Sequence, residues 1–455
     1  MDAKHILANA QTAGLTGSVV ETTGLTATVA DFPAPIGSQV EIGGPGDRPI
    51  AAEVIGFRGR LTMISPFADL AGVHRGKPVR LVRTQRRLRV GPGLLGRVVN
   101  AHGATVDGRP RPALAGRCPL DGEALTAIDR PPIDERLSTG VRAIDGLLTC
   151  GRGQRLGIFA GSGVGKSTLL GMMARYTSAD VIVIGLVGER GREVNEFLMR
   201  DLGPEGLARS VVVVATSNEP PLMRAQAASA ATSIAEHFRD EGKDVLLLID
   251  SVTRVALASR ELGLAAGEPP TTRGYPPSTF ALLPRLVERA GRAKKGSITA
   301  FYSVLVEGDD PNEPIADCMR GLLDGHVWLS RKIASRGVYP SIDLTESVSR
   351  LMKQVSEEKH LQSALVIRRL IAELEENEDL ISIGAYRQGA NPVVDAAVQL
   401  RGEIEQFFRQ SLDDRSDMPE SVKALEELAA KAAGLISPPK NHPQTNNMLP
   451  QRAAG

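Results

Sequence analysis

Residues 161–168 read Gly161-Ser162-Gly163-Val164-Gly165-Lys166-Ser167-Thr168, and these types at this spacing can hold a chain of phosphates. The three glycines let backbone N–H groups converge where side chains would obstruct them, and Ser162, Val164 and Thr168 belong to the same nucleotide-binding stretch. Lys166 can neutralise β- and γ-phosphates, and the Ser167 hydroxyl can face Mg²⁺. The first position of the usual pattern is Ala160 instead of Gly, which is harmless where that residue keeps a negative φ. The competing reading is a Gly-rich turn that binds nothing. Gly165-Lys166-Ser167, between an apolar run and a helix-like Leu-Leu-Gly-Met-Met-Ala-Arg, weighs against it.

Three further groups could complete the chemistry. Val245-Leu-Leu-Leu-Ile-Asp250 is a buried-strand pattern ending in one carboxylate, where an open α/β sheet places its ligands, so Asp250 can hold the water shell of Mg²⁺. A turn-capping aspartate is the alternative. Glu189, in Val187-Gly-Glu-Arg-Gly-Arg-Glu193, can polarise a water for in-line attack on the γ-phosphate, with Arg190 and Glu193 orienting it. A salt-bridged surface loop would use the same charges. Tyr339 offers a flat face for an adenine ring, and Arg350 ends a polar segment; on composition alone these are a core ring and a surface cation.

These residues need elements to carry them. Residues 16–90 hold short alternating runs between Gly and Pro, which predicts a small β-barrel or sandwich over 16–92 after an N-terminal segment, 1–15. The run Arg83, Arg86, Arg87, Arg89 that closes it reads as a solvated strand face or subunit contact. From 93 to 352, strand-like Val181–Val187, Val211–Ala215, Val245–Ile249, Ile298–Val306 and Val327–Leu329 alternate with helical stretches such as Leu222–Phe238. That is the pattern of a parallel-sheet α/β nucleotide domain. Residues 353–436 read as helices, including Glu357–Glu376 and Pro392–Gln410, and 437–455 as a disordered tail rich in Pro, Asn and Gln.

Composition sets the outer limits. A chain of 455 residues implies two or three domains, and a formal charge of +1 gives no sequence-wide footprint for nucleic acid. Cys118, Cys150 and Cys318 are widely spaced, which predicts buried thiols in a reducing compartment with neither disulfides nor a zinc site. No stretch is long and apolar enough to span a bilayer, so the expectation is a cytoplasmic protein whose membrane association comes through partners.

Several motifs in order carry a family resemblance. Thr139-Gly-Val-Arg-Ala-Ile-Asp-Gly-Leu-Leu-Thr-Cys-Gly-Arg-Gly-Gln-Arg, the phosphate loop, Gly188-Glu-Arg-Gly-Arg-Glu-Val-Asn-Glu-Phe, Asp250-Ser-Val-Thr-Arg, Glu268-Pro-Pro-Thr-Thr-Arg-Gly-Tyr-Pro-Pro-Ser and Pro340-Ser-Ile-Asp-Leu-Thr-Glu-Ser-Val-Ser resemble the rotary ATP synthase α/β superfamily. Over nearly all of 16–435 the chain is most similar to the ATPases of type III protein export, and among those to the flagellum-specific branch. The resemblance implies an N-terminal β-barrel, a RecA-like P-loop ATPase core and a C-terminal helical domain, assembled as a homohexamer that hydrolyses ATP with Mg²⁺. It assigns Lys166 and Ser167 to phosphates and metal, Glu189 to catalytic base, Asp250 to Mg²⁺, Tyr339 to adenine and Arg350 to a finger reaching a neighbouring subunit.

The partners it implies are a regulatory stator-like protein that relatives bind through their N-terminal segment, a central stalk protein, the export gate and chaperone–substrate complexes, at the inner face of the cytoplasmic membrane. Ser382–Asp395 resembles the stalk-contacting loop, with Asn391 where many relatives carry Asp. The injectisome secretion ATPase is the nearest alternative. A non-catalytic nucleotide-binding subunit would replace Glu189 by an uncharged residue. An RNA-translocating hexamer would need basic–aromatic interleaving that Phe32, Phe57 and Phe67 do not have around them.

Overall fold

The computed structural model describes residues 14–436 except 45, 307, 309 and 311. The N-terminal segment, but for its last two residues, and the tail 437–455 therefore lie outside the described residues.

The alternating runs near the N-terminus close on themselves. Strands Thr16–Thr23, Thr26–Ala30, Leu61–Pro66, Ile50–Arg58, Gln39–Ile42 and Pro78–Arg83 follow one another around a six-stranded barrel. In Gln39-Val-Glu-Ile42 the period of two sends Val40 and Ile42 inward beside Val29, Val54, Ile64 and Val79, leaving the polar residues outside. Closure leaves no strand edge to aggregate.

The arginine run after the barrel splits in two. Arg83, Arg87 and Arg89 are exposed, but Arg86 is not the solvated residue that the sequence suggests. It is 6% exposed, its guanidinium stacks 4.9 Å over Phe67, and Nη1 donates to Glu53 at 3.1 Å. Glu53 also accepts from Gln226 Nε2 at 2.8 and 2.9 Å, which ties the barrel to a helix of the core. A buried guanidinium is tolerable only with such partners.

The core is a nine-stranded sheet. Its path runs Ile342–Ser349, Gly325–Leu329, Arg155–Ala160, Ser297–Leu305, Asp244–Asp250, Val181–Val187, Ser210–Ala215 and Arg97–Asn100, with Gly291–Arg292 paired to Ser297–Leu305. Gly291–Arg292 and Ile342–Ser349 run antiparallel to their neighbours, and the rest of the path is parallel. All seven residues of Val181–Val187 are buried because helices cover both faces. Ile182 and Ile184 pack with the helix Lys166–Tyr176 and the C-terminal helices, while Val181 and Val183 face the Ala-rich helix Pro221–Asp240. The strand-like stretches and the helix read from the sequence all appear.

Glu358–Glu376, Pro392–Phe408 and Met418–Ile436 form the C-terminal helical unit. Asn391 caps the second, accepting from Val393 N at 2.9 Å, with Pro392 in its first turn. Ile367, Leu400, Ile404 and Leu425 join the apolar core on the side of the phosphate-loop helix. The three cysteines are free, and only Cys150 is buried; Cys118 and Cys318 are half-buried, a correction to the expectation of three buried thiols. No described helix is long and apolar enough to cross a membrane.

Candidate active site

The strand Arg155–Ala160 lies between Ser297–Leu305 and Gly325–Leu329, so its carboxyl end opens at the middle of the sheet. The chain turns there into the helix Lys166–Tyr176, with Gly163 at φ +78° and Gly165 at φ +87°, backbone angles that a side chain would strain. Ala160 is not among the described non-glycine residues with positive φ, so its methyl is accommodated as expected. The helix N-terminus behind the loop adds partial positive charge for phosphate.

Lys166 and Asp250, 84 residues apart, meet here: the ammonium donates to Asp250 Oδ1, which also accepts from Ser303 Oγ at 2.9 Å. Asp250 ends the strand Asp244–Asp250 and is 3% exposed. Glu189 follows the strand Val181–Val187, and its Oε1 lies 3.9 Å from Lys166 Nζ. Burial pushes the Glu189 carboxyl up to about 7, reinforced by the charge of Asp250 and opposed by Lys166 and Arg254. The hydrogen bond from Glu189 holds Glu193 below its ordinary value. A carboxyl poised near neutrality beside a phosphate loop has the properties of a general base.

Arg254 is the residue that sequence reasoning left without a role. It lies in the first turn of the helix Val252–Ala265; Nη2 is 3.3 Å from Glu189 Oε2, and Nη1 donates to the Gly188 carbonyl. Its signal was present in Asp250-Ser-Val-Thr-Arg254, four residues after the carboxylate that ends the strand. Arg190 stands differently from the orienting role read for it. Its side chain is 77% exposed and its nearest ion pair is Glu193 at 3.7 Å, while Arg254 holds Glu189.

A cavity of about 280 Å³ adjoins the loop, lined by Gly165, Thr168, Leu169, Met172, Tyr339, Pro340 and Gln410. Tyr339 is 44% exposed and so is not a core ring. A Cβ on Gly165 would stand 3.1 Å from its ring, and Ser341 Oγ donates to the Val164 carbonyl at 2.7 Å, fastening this segment to the phosphate loop. Gln410 comes from the C-terminal unit; its backbone N–H reaches the Tyr339 carbonyl at 2.9 Å. No sequence signal marks Gln410, whose place here is set by tertiary packing alone. The cavity suits a flat base between an aromatic ring and apolar helix residues.

The residues present fit Mg²⁺. Ser167 and Asp250 offer hard oxygens of the kind that ion takes alongside substrate phosphates, and a cation, the Lys166 ammonium, already rests on Asp250. Arg350, too, is held apart from these groups. It is exposed and follows the strand Ile342–Ser349, whose other end abuts the phosphate loop through Ser341. The strand bulges between its ends, which pair with Leu329 and Gly325, so the two ends stand roughly 13 Å apart.

Residues 140–349 match the ATP synthase alpha/beta family, nucleotide-binding domain, and residues 356–427 the T3SS EscN ATPase C-terminal domain. The chain is 51% identical over 385 residues to the flagellum-specific ATP synthase of Bacillus subtilis, covering 85% of this chain and 88% of that one. It is 48% identical over 410 residues to the type 3 secretion system ATPase of Xanthomonas euvesicatoria, covering 90% and 93%. The assembled ATPase EscN of enteropathogenic Escherichia coli superposes with a TM-score of 0.86 at 44% identity, covering 91% of this chain and all of that one. EscN in complex with its central stalk EscO gives 0.85 at 43% identity, with the same coverage.

Proposed function

The chain belongs to the ATP synthase α/β family, in its branch of type III export ATPases, and we propose that it works as a homohexamer whose Mg²⁺-dependent ATP hydrolysis energises flagellar protein export. The observation that carries this reading is the convergence of Lys166, Asp250 and Glu189 at the strand ends beside a base-sized cavity, with Arg350 about a strand's length away.

The N–H groups of the loop around Gly163 and Gly165 receive the phosphates, and Lys166 leaves Asp250 to pair with them. Ser167 and Asp250 would hold Mg²⁺, which would supply positive charge beside the β- and γ-phosphates. Glu189 accepts the proton of the attacking water, and Arg254, on the opposite carboxylate oxygen from Lys166, keeps Glu189 aimed. Tyr339 stacks on the adenine. Arg350 of an adjoining subunit supplies positive charge to the transition state, the role its distance from its own loop leaves open.

The presence and setting of Glu189 support a catalytic subunit over a non-catalytic one. EscN, described as assembled and in complex with a central stalk, supports a hexamer with a stalk partner, which we extend to this chain. We further infer contacts with a stator-like regulator, the export gate and chaperone–substrate complexes, at the inner membrane face, where export needs the energy delivered. The Xanthomonas relative keeps injectisome secretion as the second reading. Deleting the gene and scoring motility against effector secretion separates them. Lost motility restored by the wild-type chain but not by Glu189→Gln supports the flagellar reading; unaltered motility with lost secretion replaces it.

A further inference from the structure

Building on the reading of Arg350 as a finger for the neighbouring site, we propose that Gln154 is the positioning residue that mounts it. Gln154 is 0% exposed, and every polar atom of its amide is used. Oε1 accepts from Gly151 N at 2.8 Å; Nε2 donates to the Asp324 carbonyl at 3.2 Å and to Ser349 Oγ at 3.1 Å. The same Asp324 carbonyl accepts the backbone N–H of Arg350 at 3.0 Å. Ser349 Oγ donates in turn to the Thr149 carbonyl at 2.9 Å. At the root of the finger, Gln154 thus bonds Ser349 directly and shares with Arg350 the Asp324 carbonyl that both donate to. Asp324 is itself fixed, since its carboxylate accepts from Arg155 N at 3.1 Å and Arg155 Nε at 3.2 Å.

The place of this hub in the fold gives it its consequence. Gln154 immediately precedes the strand Arg155–Ala160, whose far end opens into the phosphate loop. The strand Ile342–Ser349 runs alongside through Gly325–Leu329, with Tyr339 and Ser341 before its start and Arg350 after its end. Two strands therefore join the subunit's own nucleotide site to the root of the arginine it offers elsewhere, and Gln154 locks them together at that root. A buried amide with all its hydrogen bonds made fixes position far better than apolar packing. Displacing a transition-state group by about an ångström can cost on the order of 10²-fold in rate.

The test separates a defect felt by the neighbour from one felt within the subunit. Gln154→Met keeps the volume and drops the amide bonds; we expect kcat to fall roughly 10–100-fold while the Kd for ATP stays within about twofold. The variant is then mixed with Lys166→Ala subunits, which have a dead loop and an intact arginine. Some Gln154→Met loops now face a properly mounted arginine, so turnover per Gln154→Met subunit should rise severalfold. A defect confined to its own subunit would gain nothing from a dead partner.

Arg350→Ala mixed with Lys166→Ala runs in parallel. If that pair recovers and the Gln154→Met pair does not, Gln154 does not mount the finger. If neither recovers although mixed hexamers form, the trans reading of Arg350 fails and this inference falls with it. A raised Kd for ATP with intact kcat also overturns it. Should Gln154→Met fail to fold, Ser349→Ala, which removes one arm of the hub, must show the same recovery on a smaller loss, and its absence counts equally against the proposal.

Discussion

Glu189→Gln should abolish turnover while leaving nucleotide binding in place, and it should erase one limb of the pH profile. The substitution keeps the shape of the side chain but removes the charge that accepts a proton. Loss of a general base costs about 10²–10⁴ in rate, which is about 2.7–5.4 kcal/mol of transition-state stabilisation. Binding should not weaken, because the substitution removes a negative charge 3.9 Å from Lys166 and leaves the Lys166–Asp250 pair, which the phosphates displace, as it was. The wild-type carboxyl is pushed up to about 7, first by burial and then by Asp250. The base is active only when ionised, so kcat/KM should rise with pH through that region, falling about tenfold per unit below it and levelling above it. The assay is steady-state ATP hydrolysis from pH 5.5 to 8.5 at saturating Mg²⁺, with the Kd for ATP measured separately. A Gln variant retaining more than about a tenth of the wild-type kcat would refute the assignment, as would one whose residual activity keeps the same acidic limb.

Other consequences follow from the same geometry. Lys166→Ala should weaken ATP binding and hydrolysis together, because the ammonium faces phosphates in ground and transition states alike; untouched affinity in a binding titration would count against the phosphate loop itself. Tyr339→Ala should cost about 1–3 kcal/mol of ATP affinity while Tyr339→Phe costs little, since stacking needs the ring and not the hydroxyl; equal losses would mean that stacking is not its role. Arg86→Met leaves Glu53 buried without its cation and should destabilise the fold by about 3–5 kcal/mol in denaturant titration, and a change under about 1 kcal/mol would show that the barrel does not depend on this pair.

How much of this was legible beforehand depends on whether a feature is local. Val181–Val187 and Asp244–Asp250 announce themselves by composition, because a strand buried on both faces must be apolar throughout. Gly163 and Gly165 are legible because their φ angles exclude most other residues. Arg254 was half-legible: its motif was plain, yet only the turn of the helix after Ser251 shows that its guanidinium reaches Glu189 in place of Arg190. Gln410 and Gln154 were not legible as parts of a site. Each is a glutamine in an unremarkable local setting whose hydrogen bonds join segments up to 270 residues apart. The same holds for Arg86, one of four arginines that look alike until the helix Pro221–Asp240 brings Gln226 to Glu53. Local patterns name the groups that do chemistry, whereas the residues that hold them in place belong to the tertiary fold.

The central claim is that each active site is completed by a neighbouring subunit, and the most direct measurement is specific ATPase activity against protein concentration, with the hexamer fraction followed in the same samples by sedimentation. Activity per subunit should be near zero in the monomer and rise in proportion to the hexamer, and Arg350→Ala should assemble along the same curve without that rise. Specific activity that is constant from monomer to hexamer would contradict the account.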